Sequence, residues 1–501
     1  MNAENYQQLC KWCDIALNAQ TSKRERVAIP WLHIIREHPV FLKNYEHLFA
    51  GKPTLKRTLS KIWQTSKEKI IVLKTIMFSL FSSGVPWYGH LSISKVEVLF
   101  ISHLLNESQI GKHHDFYFGD IPMEYHHNSG PVLIALLNHS GVSGKKNGQR
   151  WKSKSVSRVI FSRTLTFQKE LKNLISLIKE SISLTRIAKN VADKVYKRIL
   201  TTASSKAISA DALGSLRLYA QIKILVTTVR PRMIVVTHEG HAWERMAFAA
   251  ARCVSPEIKC VGYQHAAIFK RQHAIRRILK EEYNPDHIFT SGVVSQKILE
   301  MTPGLSGITK STLGSNRNLN NKEAINTQNI VEMANDICLV IPEGITSECN
   351  RLMEFSLECA EIMPEIKFIW RFHPSTSYAV LMKKNKKISH LPRNITLSKS
   401  SLSEDIKHSN IVLYRGSTAV VSAVVGNCRP IYLGSIDEMT IDPLFNLNNS
   451  WKRIVSSVDE FYEVLHFGDR EKAEVISDRN NSIAYGKEYY TPYDYHELRN
   501  L

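Results

Sequence analysis

Two runs in this chain carry side chains suited to acid–base or nucleophilic work at a polar bond: His238-Glu239-Gly240-His241-Ala242-Trp243-Glu244-Arg245 and Tyr263-Gln264-His265. Each follows a short apolar segment of β type, Met233–Thr237 and Lys259–Gly262, so each places titratable groups at a strand tip, where open α/β sheets bind ligands. A carboxylate at that tip, Glu239, can act as general base on an acceptor hydroxyl or as nucleophile toward an anomeric carbon. Glu239 and His265 are therefore the candidate catalytic residues, with His238, Gly240, His241, Glu244 and Gln264 as companions in the same cleft. Gly240 allows a sharp turn, after which Ala247–Arg252 reads as a buried helix. The structural alternatives are an N-cap or an ion pair with Arg245 for Glu239, and a satisfied core histidine for His265.

A second set lies downstream. Arg371-Phe372-His373-Pro374 closes the apolar segment Ile366–Arg371, and Arg415-Gly416-Ser417-Thr418 closes Asn410–Tyr414. A third loop, Ile341-Pro342-Glu343-Gly344, precedes Thr346. Arg371 and His373 offer a cation and a hydrogen-bond donor to a diphosphate or phosphomonoester, and Pro374 pre-sets the turn. Ser417 and Thr418 add hydroxyls, and Gly416 permits close backbone approach before a helix expected over Ala419–Val425. Glu343, Gly344, Arg371, His373, Pro374, Gly416, Ser417 and Thr418 are thus the expected lining of a nucleotide-phosphate pocket. The plainer alternative is a pair of N-capped helices.

No metal set is expected. The cluster His113, His114, Asp115, Asp120, His126 and His127 lacks the spacing of a helix-borne zinc pair. There is no Walker loop and no Gly-x-Gly-x-x-Gly turn, which argues against a P-loop ATPase and an ordinary NAD enzyme, and no cofactor is expected. Eight cysteines are scattered, several in apolar segments, as suits reduced thiols in a cytosolic protein. Cys10-Lys11-Trp12-Cys13 has redox-type spacing but neither a preceding strand nor a second pair.

The elements that must hold these residues form two alternating series. In the first, apolar runs at Val96–Ile101, Val132–Asn138, Val156–Phe161, Met233–Thr237, Lys259–Gly262 and His287–Thr290 alternate with helical patterns, the long Phe167–Leu225 among them. In the second, the runs are Ile337–Ile341, Lys367–Arg371, Asn394–Leu397, Asn410–Tyr414 and Pro430–Leu433. Such alternation predicts parallel sheets covered by helices. The Asn-rich Asn316–Gln328 separates the two series as a linker. The expected organisation is a helical extension over 1–90, a first α/β domain over 91–315, a second over 330–450, and a helical tail over 451–501 whose aromatic Tyr485–Tyr495 packs back on the body. The extension, with amphipathic pieces at Tyr6–Leu17 and Val27–Phe49, carries no recognisable chemistry.

A chain of 501 residues, 43% hydrophobic and 22% charged, is globular and multidomain by composition. Its start shows no secretory pattern, and its most apolar stretch, Ile70–Trp87, is too interrupted to span a bilayer and reads as buried or interfacial. A cytoplasmic location is expected, with peripheral contact at the inner face of the membrane allowed. The formal charge of +20 is concentrated: residues 141–200, which include a Gly/Ser/Lys-rich loop at Gly141–Ser155, hold 15 Lys/Arg and 3 Asp/Glu. Such a surface attracts nucleic acid, anionic lipid or an acidic glycan. No recognition-helix or RNP motif supports a nucleic-acid-binding protein, which is the non-catalytic alternative.

With these motifs in hand, the two-unit plan resembles a GT-B glycosyltransferase. His373-Pro374 and Ser417-Thr418 resemble the "HP" and "S-S/T" motifs of bacterial sialyltransferases and related Kdo transferases, which use CMP-activated sugars. In that family histidine and hydroxyls contact the CMP phosphate, and an acidic strand tip of the form D/E-D/E-G supplies the catalytic carboxylate. His238-Glu239-Gly240 matches only part of it, with His at the first position. His238–Phe248, Gly262–Ala266, Asn284-Pro285-Asp286 and Asp115–Asp120 resemble a bacterial surface-carbohydrate (capsule or lipopolysaccharide) biosynthesis family over about residues 95–435. The resemblance implies two Rossmann-like domains facing a cleft. It implies transfer of a 2-keto-3-deoxy acid, such as Kdo or a nonulosonic acid, from a CMP donor to a surface polysaccharide or lipid-linked, acidic glycan, without a metal. A CDP-polyol phosphotransferase or a sugar-nucleotide epimerase are the alternatives on the same fold.

Overall fold

The computed structural model describes residues 1–50, 55–89, 95–150, 156–317, 336–374, 376–466 and 473–501. Most of the linker expected at Asn316–Gln328 lies outside them, as do residues 151–155 of the basic loop.

The first sheet contains β1 (Trp87–Tyr88), β2 (Val98–Leu104), β3 (Val132–Asn138), β4 (Ser157–Phe161), β5 (Met233–Thr237), β6 (Lys259–Gln264), β7 (His287–Thr290) and β8 (Thr309–Thr312). Their order is β1-β4-β3-β2-β5-β6-β7-β8, parallel except for β1 against β4. The second contains β9 (Ile337–Pro342), β10 (Lys367–Trp370), β11 (Ile395–Leu397), β12 (Ile411–Arg415), β13 (Arg429–Leu433) and β14 (Arg453–Val455), in the order β11-β10-β9-β12-β13-β14, all parallel. In both, the chain winds outward from a first central strand, reverses, and winds the other way, which is the doubly wound Rossmann order. Central strands such as β5 and β12 are buried along their whole length, because helices cover both faces and leave no polar side to alternate with. The chain thus has the GT-B architecture of two Rossmann-like sheets.

Several local expectations are corrected. Val27–Phe49 is not an amphipathic helix; Pro30 and Pro39 withhold N–H groups, and the stretch folds as short turns at Pro30–Leu32, Pro39–Leu42 and Glu46–Leu48. The extension is not a separate module either, since Leu9, Leu17 and Leu32 share one apolar core with Leu99, Ile101 and Ile234 of the first sheet. Phe167–Leu225 is three helices, Phe167–Lys189, Lys194–Ala207 and Ala210–Val229. Gly144–Arg150 is helical rather than loop. The tail opens with β14 before its helices Val458–His466, Ala473–Tyr489 and Tyr495–Arg499. Strands β1, β8 and β14 were not anticipated, because short edge strands with polar residues carry little apolar pattern.

The aromatic tail does return to the body. Tyr489 is buried with its hydroxyl donating to Pro443 O at 3.2 Å, and Thr491 N donates to Ser291 O at 3.1 Å. Beyond it, Tyr493 Oη donates to Tyr117 O at 3.1 Å.

Candidate functional site

The crevice of a doubly wound sheet lies where the winding reverses, at the carboxyl ends of the two strands flanking that point. Here those pairs are β2 with β5 and β9 with β12. Their ends and the loops that follow carry His103 and Glu239 in the first sheet, and Glu343 and Gly416 in the second.

Glu239 is 27% exposed and its Oε2 lies 3.4 Å from His241 Nε2. Burial alone would raise its pKa, but the hydrogen bond to His241 and the charges of His265, His241 and Arg36 prevail and hold it at about 2. In turn His241 is raised, its burial outweighed by Glu239 and Glu244. His265 is lowered by burial, sits edge-on to Tyr117 with ring centroids 4.3 Å apart, and has no partner for its buried Nδ1 among the described residues. The structure therefore brings Glu239, His241 and His265 together at the ends of β5 and β6.

A further group at this crevice escaped the sequence reading. His103, at the end of β2, places Nδ1 3.0 Å from His139 Nε2 and Nε2 3.1 Å from Thr237 Oγ1, and Trp243 packs edge-on against it. Burial, His139 and His265 lower its pKa to about 3, so it is a neutral hydrogen-bonding ring. Only the adjacency of β2 and β5 could have signalled it.

Three expected cleft residues lie behind the loop instead. His238 is fully buried, its ring against Phe248 and its Nδ1 3.2 Å from Glu244 Oε2. The Glu244 carboxylate accepts from the N–H groups of Glu239, Gly240 and His241 at 2.9, 2.7 and 2.8 Å. It thereby satisfies the free N-terminus of the helix Ala242–Val254 and fixes the loop that presents Glu239. Gln264 is buried, its amide donating to Ala266 O. Arg245 is not an ion-pair partner of Glu239; it is buried and donates to Asn284 Oδ1 at 3.0 Å and to the carbonyls of Tyr283, Ala274 and Arg277. Asn284 and Asp286, the latter paired with Arg252, thus brace the helix behind Glu239. Asp115 is likewise structural, accepting from Ser102 Oγ and the N–H groups of Tyr117 and Phe118. Among the described residues no group of His, Cys, Asp and Glu could hold a metal ion.

In the second sheet β10 and β12 flank β9, so His373, Glu343 and Ser417 follow adjacent strands. Glu343 is the centre: a Cβ on Gly416, whose φ is +69°, would lie 2.9 Å from Glu343 Cδ. His373 and Pro374 are exposed. Thr376 Oγ1 reaches Gly344 O at 3.4 Å. Ser417 is buried and Thr418 half-buried ahead of the short helix Val420–Val425. Arg371 is partly committed: its Nη1 donates to buried Asp405 Oδ2 at 2.8 Å and Ser400 O at 2.7 Å, while its side chain stays 29% exposed. The next helix starts at Tyr378, where Ser377 caps it. Arg415 is also structural, buried with Glu348 and Glu438 at 2.6 Å each.

The supposedly silent N-terminal stretch joins the two sheets. His38 Nε2 lies 2.7 Å from Glu343 Oε1, Arg36 Nη2 3.7 Å from Glu343 Oε2, and the Arg36 guanidinium stacks 4.4 Å from the Phe269 ring. Glu37 Oε1 accepts from Arg271 N at 2.6 Å. Truncating His38 to Ala leaves a buried carboxylate oxygen without its partner, so His38→Ala should lower stability by about 1–3 kcal/mol. A urea midpoint equal to that of the parent would show that the contact is dispensable.

Beside Glu239 and Arg36 lies a cavity of about 1560 Å³. Glu239, His241 and Ala266 line it from the first sheet, Thr418 from the second, and Arg36 from the N-terminal stretch, while Lys194, Lys197 and Arg198 form a basic wall. Thr418 thus borders the same space as Glu239, whereas Glu343, His373, Gly416 and Ser417 are not among its lining residues.

No protein-family model matches the chain, and no curated protein matches it in sequence. Among solved structures it is similar to the glycosyltransferase SnogD from Streptomyces nogalater (12% identity, 80% of this chain and 99% of that one, TM-score 0.43). It is similar also to MurG of Acinetobacter baumannii (8%, 81% and 98%, TM-score 0.44) and to UDP-GlcNAc 2-epimerase from Neisseria meningitidis bound to UDP-GlcNAc (11%, 80% and 98%, TM-score 0.42). The residues described above, not these likenesses, define the site.

Proposed function

We propose that this chain is a glycosyltransferase that takes a sugar from a nucleotide donor at the ends of β9, β10 and β12 and passes it to an acceptor hydroxyl in the cavity. The observation that carries this reading is that Glu239, hydrogen-bonded to His241, and Thr418, at the end of β12, line one cavity. Glu239 takes the acceptor proton as general base, held in place by its hydrogen bond to His241. The departing phosphate is received by His373, the hydroxyls of Ser417 and Thr418, and the backbone at Gly416, where fixed dipoles stabilise developing charge. The basic wall of Lys194, Lys197 and Arg198 suits an acidic acceptor.

The specific reading is a CMP-activated 2-keto-3-deoxy acid delivered to a surface polysaccharide or lipid-linked glycan at the inner face of the cytoplasmic membrane. The His373-Pro374 and Ser417-Thr418 motifs favour it. A thermal-shift panel of CMP, CDP, UDP and GDP tests the donor. CMP should raise the melting temperature most, and His373→Ala should weaken its binding about tenfold or more through loss of a phosphate hydrogen bond of about 1.5–3 kcal/mol. A larger response to UDP reassigns the donor, and silence to all four removes the transferase reading. Product analysis separates transfer, which releases the nucleotide, from epimerisation, which returns a rearranged nucleotide sugar.

A further inference from the structure

The helix Leu55–Leu80 has two apolar faces where a surface helix needs one. Val72, Ile76 and Ser79 are buried, and the helix packs on Phe167–Lys189 and Ala210–Val229. On the far side Trp63, Ile70 and Met77 recur every seven residues, and they are 75%, 53% and 49% exposed. Leu73, Phe78 and Phe81 widen that face, with Phe81 86% exposed. The neighbouring helix Phe167–Lys189 adds an exposed stripe of Leu171, Ile175, Ile178 and Ile182 at helical spacing. The apolar stretch expected to be buried or interfacial thus leaves one face exposed, and an exposed apolar face of this kind marks an interaction surface. No helix among the described residues is long and apolar enough to cross a membrane.

We propose that the outer face of this helix, continued through Phe81, docks the protein on an anionic lipid bilayer, the helix lying in the headgroup plane. Three features select this occupant. Lys67, Lys69 and Lys74 are exposed on the same helix, while its one nearby acid, Glu68, is 2.5 Å from Lys206. A second copy applied to this face would bring lysine against lysine, whereas anionic headgroups neutralise them. Trp and Phe beside snorkelling lysines is the composition of an interfacial helix. Glu68 and Ile71 also line the cavity that reaches Glu239, so a docked helix would set the cavity mouth beside the bilayer. The proposal stands apart from the transferase reading, because vesicle binding is read without nucleotide or acceptor.

Flotation of the full chain with phosphatidylcholine vesicles containing one third phosphatidylglycerol is the test. The protein should float with these vesicles and not with pure phosphatidylcholine, and high salt should weaken the association. Phe78→Asp combined with Phe81→Asp should reduce the bound fraction about tenfold or more with an unchanged circular dichroism spectrum. Quenching of tryptophan fluorescence by brominated lipid, diminished in Trp63→Phe, checks insertion in a protein altered at one exposed ring. Flotation unaffected by the double substitution overturns the proposal. So does a wild-type chain that ignores vesicles but sediments as a dimer which the same pair dissolves.

Discussion

Glu239→Gln should lower kcat by about 10²–10⁴-fold, the range supplied by a positioned general base, with little change in nucleotide affinity. Glutamine preserves shape, and the loop does not depend on the lost charge, because Glu244 rather than Glu239 accepts the backbone N–H groups. The turn should therefore keep its shape, while the stability that the ionised carboxylate draws from His241 is lost with the charge. The pH profile adds a second readout. Glu239 is held at about 2, so its ionised form is complete across the neutral range and its own titration sets no acid limb near the usual carboxylate value. For stability the sign is that of a depressed acid: the contribution is present above the unfolded carboxylate value and disappears as pH falls through the folded one. His241 runs the other way, its raised value giving a contribution that is full at low pH and lost as pH rises through that value. Removing the Glu239 charge should move His241 downward, which the imidazole NMR shifts of the variant would report. Rates of nucleotide release within about threefold of the parent would remove Glu239 from the chemistry.

How much of this was legible in sequence follows from the distance over which each feature is encoded. Glu239 and His265 could be placed because β5 and β6 announce themselves in a few consecutive apolar residues and the polar group comes next. The same local logic placed Glu343 after β9 and Gly416 and Ser417 after β12. It could not tell an open cation from a partly committed one: Arg371 is tied to Asp405, 34 positions later, and nothing in Arg-Phe-His-Pro shows it. It could not tell the two sides of a loop apart, so His238 and Glu244, which brace the turn from within, were read beside Glu239, which faces out. His103 was missed because its value depends on strand order, and Arg36 and His38 because an irregular stretch broken by Pro30 and Pro39 has no period to read. Exposure was least legible of all. An apolar face looks the same in sequence whether it meets a core or solvent, and only the packing of Val72 and Ile76 shows that Trp63 and Phe78 face outward.

Gly240→Ala should destabilise the protein by about 3 kcal/mol or more, the range of a steric clash added to a left-handed backbone. Gly240 has φ of +89°, and a Cβ there would lie 2.2 Å from the backbone carbon of Ala274 and 2.3 Å from its oxygen. Backbone cannot swing aside like a flexible side chain, and this stretch is held from both sides. Ala274 O accepts from buried Arg245 at 3.0 Å, and the N–H groups of His273 and Ala274 donate to Ile35 O at 3.0 and 3.4 Å. Ile35 directly precedes Arg36, with His38 two residues beyond that, so a shift at Ala274 should be felt at the contact with Glu343. Gly111→Ala provides the control: its φ is +86°, but nothing lies within 4 Å of the added Cβ, so only the conformational penalty of about 1–2 kcal/mol remains. Chemical denaturation of both variants separates strain from clash. Equal losses would mean that the Gly240 loop yields, and that the close approach between Glu239's turn and the 274 backbone is not what fixes the carboxylate.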